Sequence, residues 1–114
     1  KESTAWFSIG NFLNTQLETE ALIGGFAVMD IDAATKKVTT TSFLPTYMHY
    51  DWTAAEKRSN NLLARKNLQM IALDQAEGLM SKSSLGTNVQ AQTDRVTTIL
   101  NKYTPVKILK SSEY

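Results

Sequence analysis

Apolar and polar positions along the first half of the chain follow the pattern of β-strands. Residues 5–9 are aromatic and β-branched and end at a Gly-Asn pair, which predicts a short buried strand and a turn. Residues 21–32 follow a polar loop and carry apolar side chains on both faces, so they are predicted to form a central strand. Turn residues follow at 32–36, and the β-branched segment 37–44 returns beside this strand, so we expect an antiparallel hairpin.

A proline interrupts the return strand of this hairpin. Because Pro45 has no N–H to donate to a neighbouring strand, we expect a bulge or an edge position there. The extended pattern resumes in residues 47–50, which are predicted to continue the strand.

The second half of the chain changes to helical spacing. Residues 53–56 read Thr-Ala-Ala-Glu, the spacing of a capping box, which predicts the start of a helix. Residues 74–77 repeat that spacing and predict a second helix beginning at Asp74. Residues 68–73 would then form a short strand between the two helices, and one continuous helix over 53–82 is the alternative that the pattern leaves open.

A third helix is predicted between Thr87, which is placed to cap it, and Pro105, which ends it. Apolar residues recur on one face of this helix: Val89, Val96, Ile99, Leu100 and Tyr103. Residues 106–109 add a last strand. The predicted fold is therefore α+β: a small mixed or antiparallel sheet with a central hairpin, packed against two to three C-terminal helices. We expect one domain over residues 1–110 and a frayed tail over residues 111–114.

Composition agrees with one soluble globular domain, because the 114 residues are 42% hydrophobic and 20% charged. The absence of cysteine excludes disulfide scaffolds, thiolate metal sites and a cysteine nucleophile. A formal net charge of +1 is too small for the broad positive field of a nucleic-acid-binding protein. The longest apolar run, residues 21–29, is far shorter than the about 20 residues of a membrane-spanning helix. We therefore expect no nucleic-acid partner and no transmembrane segment in this chain.

Candidate chemistry in the sequence is sparse. His49 is the sole histidine, so a catalytic triad or metal cluster built from several histidines is excluded, and we expect a half-buried strand histidine with one hydrogen-bond partner. Asp30 and Asp32 share one face of a strand but are interpreted as a solvated hairpin end. A local cluster of basic residues would suit an anionic polymer, although a solvated face is the simpler interpretation: Lys57, Arg58, Arg65 and Lys66.

One segment resembles a known family. Residues 6–16 read Trp-Phe-Ser-Ile-Gly-Asn-Phe-Leu-Asn-Thr-Gln and resemble the stretch Φ-Y/F-S-L-G-N-F-x-S-N-Q of the CapA family of bacterial capsule and poly-γ-glutamate biosynthesis proteins. In that family a glycine-bearing strand follows, which residues 24–31 resemble, and then a Y-x-P-T-x-V element, which residues 43–48 resemble. The chain departs from the pattern at Asn14 and Thr15, where Ser-Asn is more usual.

The resemblance implies the C-terminal part of an α/β metallophosphatase-like sandwich. The family's metal-binding Asp, Asn and His motifs precede its Gly-Asn-Phe turn, so this chain is expected to hold no catalytic residue, no metal ligand and no cofactor. A divalent metal would belong to the upstream part of the parent protein. Asn11 and Gln16 are the positions that the resemblance carries over as candidate binding residues, and His49 joins them as a third candidate.

The expected function is that of a non-catalytic C-terminal domain of a capsule or poly-γ-glutamate biosynthesis protein at the bacterial cell surface. Its expected partners are the upstream catalytic-like domain of the same parent chain and the capsule polymer or its synthesis machinery. Lys1 is the first residue, with no leader before the apolar segment at residue 5, so we interpret the chain as a piece of a longer polypeptide. The isolated fragment is then expected to self-associate through an open strand edge at residues 5–9.

Two alternatives to this function are open at this point. One is a self-associating interaction module, which requires an exposed apolar patch. The other is the remnant of an intact metal-dependent phosphoesterase, in which the whole parent protein would be active.

Overall fold

The structure is a computed structural model that describes residues 17–114. The expected strand at residues 5–9 and the candidate residues Asn11 and Gln16 lie outside the described residues. Helices and strands follow one another in this order: a 3₁₀ turn Thr19–Leu22, strands β1 Ile23–Ile31 and β2 Val38–Asp51, helix α1 Ala54–Arg58, a 3₁₀ turn Leu62–Ala64, strand β3 Lys66–Ala72, a 3₁₀ turn Leu73–Gln75, helices α2 Glu77–Met80 and α3 Val89–Leu100, strand β4 Lys107–Ile108 and a 3₁₀ turn Ser111–Glu113.

The four strands form one mixed sheet. β1 and β3 flank β2 and run antiparallel to it, while β4 pairs in parallel with a separate part of β2. The hairpin of β1 and β2 is the one predicted from the sequence. The predicted α+β class, with a small sheet, a central hairpin and three short helices after it, is confirmed.

β2, and not β1, is the central strand of the described part of the chain. β2 pairs with all three other strands, and its buried run reaches from Leu44 to His49. β1 pairs with β2 alone among residues 17–114, and its far end is largely exposed. Within residues 17–114, β1 is therefore an edge strand and not the central strand expected for residues 21–32.

Pro45 lies inside β2 and not at a bulge. The register with β1 runs without a shift past Gly25, which lies opposite Pro45. The carbonyl of Phe43 accepts a hydrogen bond from Leu109 next to β4, and strand alternation turns Pro45 toward the same edge of β2. At that edge β4 pairs with residues 42–43 of β2, and the pairing with β3 starts at Thr46 of β2. Pro45 therefore falls in the gap between the two pairings. The missing N–H is thus placed where no neighbouring strand requires it.

The first capping box forms as predicted. The N–H of Glu56 donates to Thr53 Oγ1 at 3.2 Å, and the N–H of Thr53 donates to Glu56 Oε2 at 2.7 Å. α1 begins at Ala54 and is followed by β3, which covers most of the predicted strand at 68–73. One continuous helix over residues 53–82 is therefore wrong.

The second capping box does not form. Residues 73–75 make a 3₁₀ turn, α2 begins at Glu77, and no side chain caps it. Asp74 instead accepts hydrogen bonds from the N–H and the hydroxyl of Ser111, at 3.0 and 2.8 Å. Glu77 accepts from the N–H of Val89 at the start of α3. Both carboxylates serve contacts that are distant in sequence, which local spacing does not encode.

α3 is present, but its cap and its buried face differ from the prediction. Asn88, not Thr87, caps it, because Asn88 Oδ1 accepts from the N–H of Ala91 at 2.8 Å. Val96 is buried and Val89 packs against the core, whereas two predicted core residues are exposed: Ile99 at 57% and Tyr103 at 73%. The helix contacts the core through its first turns, so its C-terminal end projects from the core.

The core gathers residues from β2 and from the turns around it. Its buried members are Leu22, Tyr47, Met48, Leu73, Ala76 and Met80. Four of them come from the 3₁₀ turns and from α2, together with the residue before it, rather than from long helices. The core therefore forms where these short elements cover the last third of β2.

The last residues, where the sequence predicts a frayed tail, form the 3₁₀ turn Ser111–Glu113, which is largely exposed. Lys107 Nζ lies 2.9 Å from Glu113 Oε1, and Glu113 Oε2 accepts from the N–H of Lys110. Together with the Asp74 contact to Ser111, these bonds hold the last 3₁₀ turn beside the turn that precedes α2.

Replacing Gly25 with alanine is expected to destabilise the fold. A Cβ built at Gly25 would overlap the ring of Phe43 and lie 2.6 Å from the Leu44 carbonyl oxygen, so the hairpin must shift at a cost of about 1–3 kcal/mol. Gly78→Ala is the matched control, because a Cβ there meets nothing within 4 Å and alanine is the better helix former. Urea unfolding measures both variants, and equal midpoints would contradict the predicted overlap.

Asp74→Ala is expected to lower the free energy of unfolding at pH 7 by about 1.5–3 kcal/mol, because the hydrogen bonds from Ser111 are lost. Burial of Asp74 acts to raise the pKa of its carboxyl, but hydrogen bonds from Gln75 and Ser111 outweigh it, so the pKa lies below its ordinary value. The stabilisation is therefore present at neutral pH and is lost as the pH falls through the lowered pKa.

Urea unfolding between pH 7 and pH 2 measures this effect in Asp74→Ala, Ser111→Ala and the double variant. A double variant that is less destabilised than the sum of the two single variants demonstrates the contact. Asp94→Ala is the control, because Asp94 accepts from Gln90 within α3 and lies outside this contact. Strictly additive effects of the Asp74 and Ser111 changes would argue for a local helix cap instead.

Candidate functional site

A solvent-open cavity of about 360 Å³ lies at the C-terminal end of β2. We call it the β2-end cavity. It is lined by residues 47–53 of β2 and the chain after it, Lys57 of α1, Lys66 of β3, residues 82–85 after α2, and Leu17 and Leu22. Because these residues come from five parts of the chain, the fold itself creates the cavity.

Three polar side chains form a continuous hydrogen-bonded series in this cavity. Tyr47, His49 and Asp51 alternate along β2, so they share one face of the sheet. The Tyr47 hydroxyl lies 3.1 Å from His49 Nδ1, and His49 Nε2 lies 3.2 Å from Asp51 Oδ1. A carboxylate accepts only, so Nε2–H donates to Asp51, and in the neutral imidazole Nδ1 then accepts from the Tyr47 hydroxyl. The series therefore fixes one tautomer of the buried imidazole.

Burial raises the pKa of the Tyr47 hydroxyl above its ordinary value. The Ser83 hydroxyl opposes this shift through a hydrogen bond, and Tyr50 adds to it electrostatically. Tyr47 and His49 are 1% and 3% exposed. The pair is therefore a buried polar floor of the cavity, and Tyr47 stays neutral at physiological pH.

A bulge in β3 brings Asn67 to Asp51, the last residue of the series. The pairing of β2 with β3 shifts between His49 and Asp51, and Asn67 at the shift has a positive φ of 54°. Asparagine adopts this left-handed conformation more readily than most residues. Asn67 Nδ2 donates to Asp51 Oδ2 at 2.6 Å, and this bond first, then that from His49, lowers the pKa of Asp51. Both oxygens of Asp51 are thus occupied.

Aromatic rings form the outer wall of the cavity. The rings of Tyr50 and Trp52 meet edge to face, with centroids 6.3 Å apart. The guanidinium of Arg65 lies over the Tyr50 ring at 5.4 Å, and Trp52 Nε1 donates to the carbonyl of Asn61 at 3.0 Å. These contacts hold the rings in place, so the wall is preformed.

Three lysines contribute positive charge to the rim. Lys57, Lys66 and Lys82 line the cavity. Lys57 Nζ donates to the Ser84 carbonyl at 3.5 Å. The ion pairs found within residues 17–114 are His49–Asp51 and Lys107–Glu113, so none of the three lysines takes part in one. Positive charge therefore exceeds negative charge around the opening.

The predicted site residues fall in different places. His49 is in the cavity, more buried than expected and with two partners in place of one. Asp30 and Asp32 lie in the hairpin, where Asp30 accepts from Thr40 and Asp32 accepts from the N–H of Thr35 at 2.6 Å. The bond from Thr35 lowers the pKa of Asp32. Both aspartates thus take part in the hairpin itself.

Several residues of the cavity were not predicted to act together. The spacing of Tyr47, His49 and Asp51 is a signal that sequence alone contains, since residues two apart on a strand share a face. Asn67 and Lys82 carry no such signal, because a bulge and a turn after α2 bring them to β2. The basic residues near α1 have different positions. Lys57 and Lys66 line the cavity, while Arg65 stacks on Tyr50.

Within residues 17–114, no three histidine, cysteine, aspartate or glutamate side chains come together as a potential metal site. No helix in this described range is long and apolar enough to cross a membrane. No protein-family model, curated protein or solved structure matches the chain. These comparisons therefore identify no family for the chain.

Tyr47→Phe is expected to reduce the free energy of unfolding by about 1–3 kcal/mol, because it leaves buried His49 Nδ1 without its donor. Tyr114→Phe is the matched control: Tyr114 is 80% exposed, so we expect a change within about 0.5 kcal/mol. Urea unfolding gives the energies, and ¹⁵N chemical shifts of the imidazole report its tautomer. Wild-type stability with an unchanged imidazole spectrum in Tyr47→Phe would refute the hydrogen-bonded series.

Proposed function

We propose that this chain is a non-catalytic C-terminal domain of a bacterial capsule or poly-γ-glutamate biosynthesis protein, similar to the CapA family. It would form the C-terminal part of a larger α/β metallophosphatase-like sandwich. Its location would be the cell surface, reached through the upstream part of the parent protein. Residues 6–16, 24–31 and 43–48 carry the resemblance on which this proposal starts.

The observation that carries the proposal is the contact between two of these segments. Gly25 of the glycine-bearing segment lies opposite Pro45 of the Pro-Thr element. The Phe43 ring, from the same element, occupies the space that a side chain at Gly25 would need. The two segments therefore depend on one another in the fold, which supports reading them as parts of one family pattern rather than as separate chance similarities.

An exposed apolar face at the far end of the hairpin supports a place within a larger protein. Met29 and Ile31 share one face of β1, and Val38 of β2 lies opposite Ile31. Their exposed fractions are 43%, 62% and 42%. We call these three residues the hairpin face. Two-stranded hairpins are marginally stable in water on their own, so a covering partner would stabilise this end of the hairpin.

The upstream catalytic-like domain of the same parent chain is the proposed occupant of the hairpin face, because the family's metal-binding motifs precede the Gly-Asn-Phe turn. The chemistry of the described residues fits a non-catalytic role. His49 has both ring nitrogens engaged, with Tyr47 and with Asp51. Any divalent metal of the parent protein would be held by upstream residues. The capsule polymer or its synthesis machinery is the proposed wider partner.

Association with the upstream part of the parent protein tests this function. We expect Ile31→Lys to weaken association of the chain with that separately produced part by about tenfold or more, because a charge would be buried in an apolar contact. Leu63→Lys is the control, since Leu63 is 97% exposed and lies outside the hairpin. Analytical ultracentrifugation of the mixtures measures the affinities.

Two results would contradict the proposal. If the chain does not bind the upstream part but associates with itself through the hairpin face, the result would favour the alternative of a self-associating module. A tight Mn²⁺ or Zn²⁺ site in the chain alone, measured by calorimetry, would overturn the assignment of the metal ligands to the upstream part and would favour the phosphoesterase alternative.

A further inference from the structure

We propose that the β2-end cavity binds a phosphate monoester in its dianionic form, with the ester's apolar body against the aromatic wall. The binding site is formed by residues of this chain alone, so the inference goes beyond the proposed function and does not rest on it. It is carried by three lysines around one small cavity whose neighbouring carboxylates are already engaged.

The charge of the lining matches a dianion. The lining holds three ammonium groups and a single carboxylate, that of Asp51. Lysine ammonium groups act as point charges toward phosphate and need no fixed planar geometry. Lys57, Lys66 and Lys82 belong to α1, to β3 and to the turn after α2, so three separate elements bring positive charge to one cavity. A long polyanion fits less well, because the whole chain carries a net charge of only +1.

The nearby carboxylates are held away from these lysines. Asp51 accepts from His49 with one oxygen and from Asn67 with the other. Glu56 accepts from the N–H of Thr53 in the capping box of α1. Lys66 acts on both carboxylates electrostatically, lowering the pKa of each, but pairs with neither. An incoming anion therefore meets lysines that no carboxylate among residues 17–114 has neutralised by direct contact.

The apolar residues that line the cavity suit the organic group of a small phosphate ester. The volume of about 360 Å³ lies at the lower end of the range for ligand pockets. Leu17, Leu22 and Leu85 supply apolar surface, and Trp52 supplies an aromatic wall. The hydroxyls of Ser83 and Thr53 also line the cavity, where Ser83 donates to the Met80 carbonyl and Thr53 accepts from the N–H of Glu56. The site thus pairs a charged rim with an apolar side, as an organic phosphate requires.

Titration of the full chain with phenyl phosphate tests the proposal, with calorimetry and ³¹P NMR as readouts. We expect saturable one-to-one binding that Lys66→Gln and Lys82→Gln each weaken by about fivefold or more. Lys37→Gln is the matched control, because Lys37 is exposed and lies just before β2, and it should leave the affinity unchanged. Circular dichroism establishes that each variant is folded before it is titrated.

Phenyl sulfate and lipid vesicles refine the test. Phenyl sulfate has the same ring but one negative charge, so we expect it to bind at least about fivefold more weakly. Vesicles with phosphatidic acid present the same monoester on a lipid, and vesicles with phosphatidylglycerol present a diester. Lysine-dependent binding to phosphatidic acid alone supports the monoester and assigns it to a lipid headgroup, whereas lysine-dependent binding to phenyl phosphate supports a soluble ester.

Three results would overturn the inference: equal affinity of phenyl phosphate for the cavity variants and for Lys37→Gln, equal affinity for phenyl sulfate, or no binding to any of the phosphate monoesters. Each leaves the proposed association of the hairpin face with an upstream domain untouched, because that association is measured with different variants and a different partner.

Discussion

A central strand that contains a proline needs a position where no neighbour requires its missing N–H. β2 meets this constraint because two separate strands pair with its second edge. β4 pairs with residues 42–43 of β2, and the pairing with β3 starts at Thr46 of β2. Pro45 lies in the interval between them. The arrangement allows β2 to run unbroken for 14 residues from the hairpin to the β2-end cavity. The three other strands pair with β2, and the 3₁₀ turns Thr19–Leu22 and Leu73–Gln75 contact it.

The cavity follows from the alternation of side chains along the same strand. Tyr47, His49 and Asp51 point to one face because β2 stays extended after Pro45. Burial of the first two is tolerable because each polar atom of the imidazole has a partner, and the bulge at Asn67 gives Asp51 a second one. Asp51 is thus engaged by His49 and Asn67, and among residues 17–114 no ion pair joins it to the lysines that line the cavity.

Local sequence signals predicted the elements that local interactions determine. The hairpin, the capping box at Thr53 and the strand before Asp74 each depend on residues that are close in sequence, and each forms. The second capping box does not form, and Asp74 instead accepts hydrogen bonds from Ser111, 37 residues away in the chain. The exposed Ile99 is a second case in which local signals were not enough. Periodicity predicts which face of a helix is apolar, but not how much of that face contacts the core.

The candidate site was accessible to sequence reasoning only where strand alternation applies. Spacing alone places Tyr47 beside His49, but nothing local predicts that Lys82 reaches the same cavity. That contact depends on how α2 and the turn after it fold over β2. A site assembled from five parts of the chain is a property of tertiary structure, so its chemistry becomes visible only once the strands are placed.

The two proposed surfaces lie at opposite ends of one strand, and this separation has a mechanical consequence. Val38 belongs to the hairpin face and Asp51 to the β2-end cavity, and they are the first and last residues of β2. An extended strand of this length spans roughly 40 Å. A partner on the hairpin face would therefore leave the cavity open to a ligand. Since substitutions this far apart are generally additive, variants of the hairpin face and of the β2-end cavity are expected to act independently of one another.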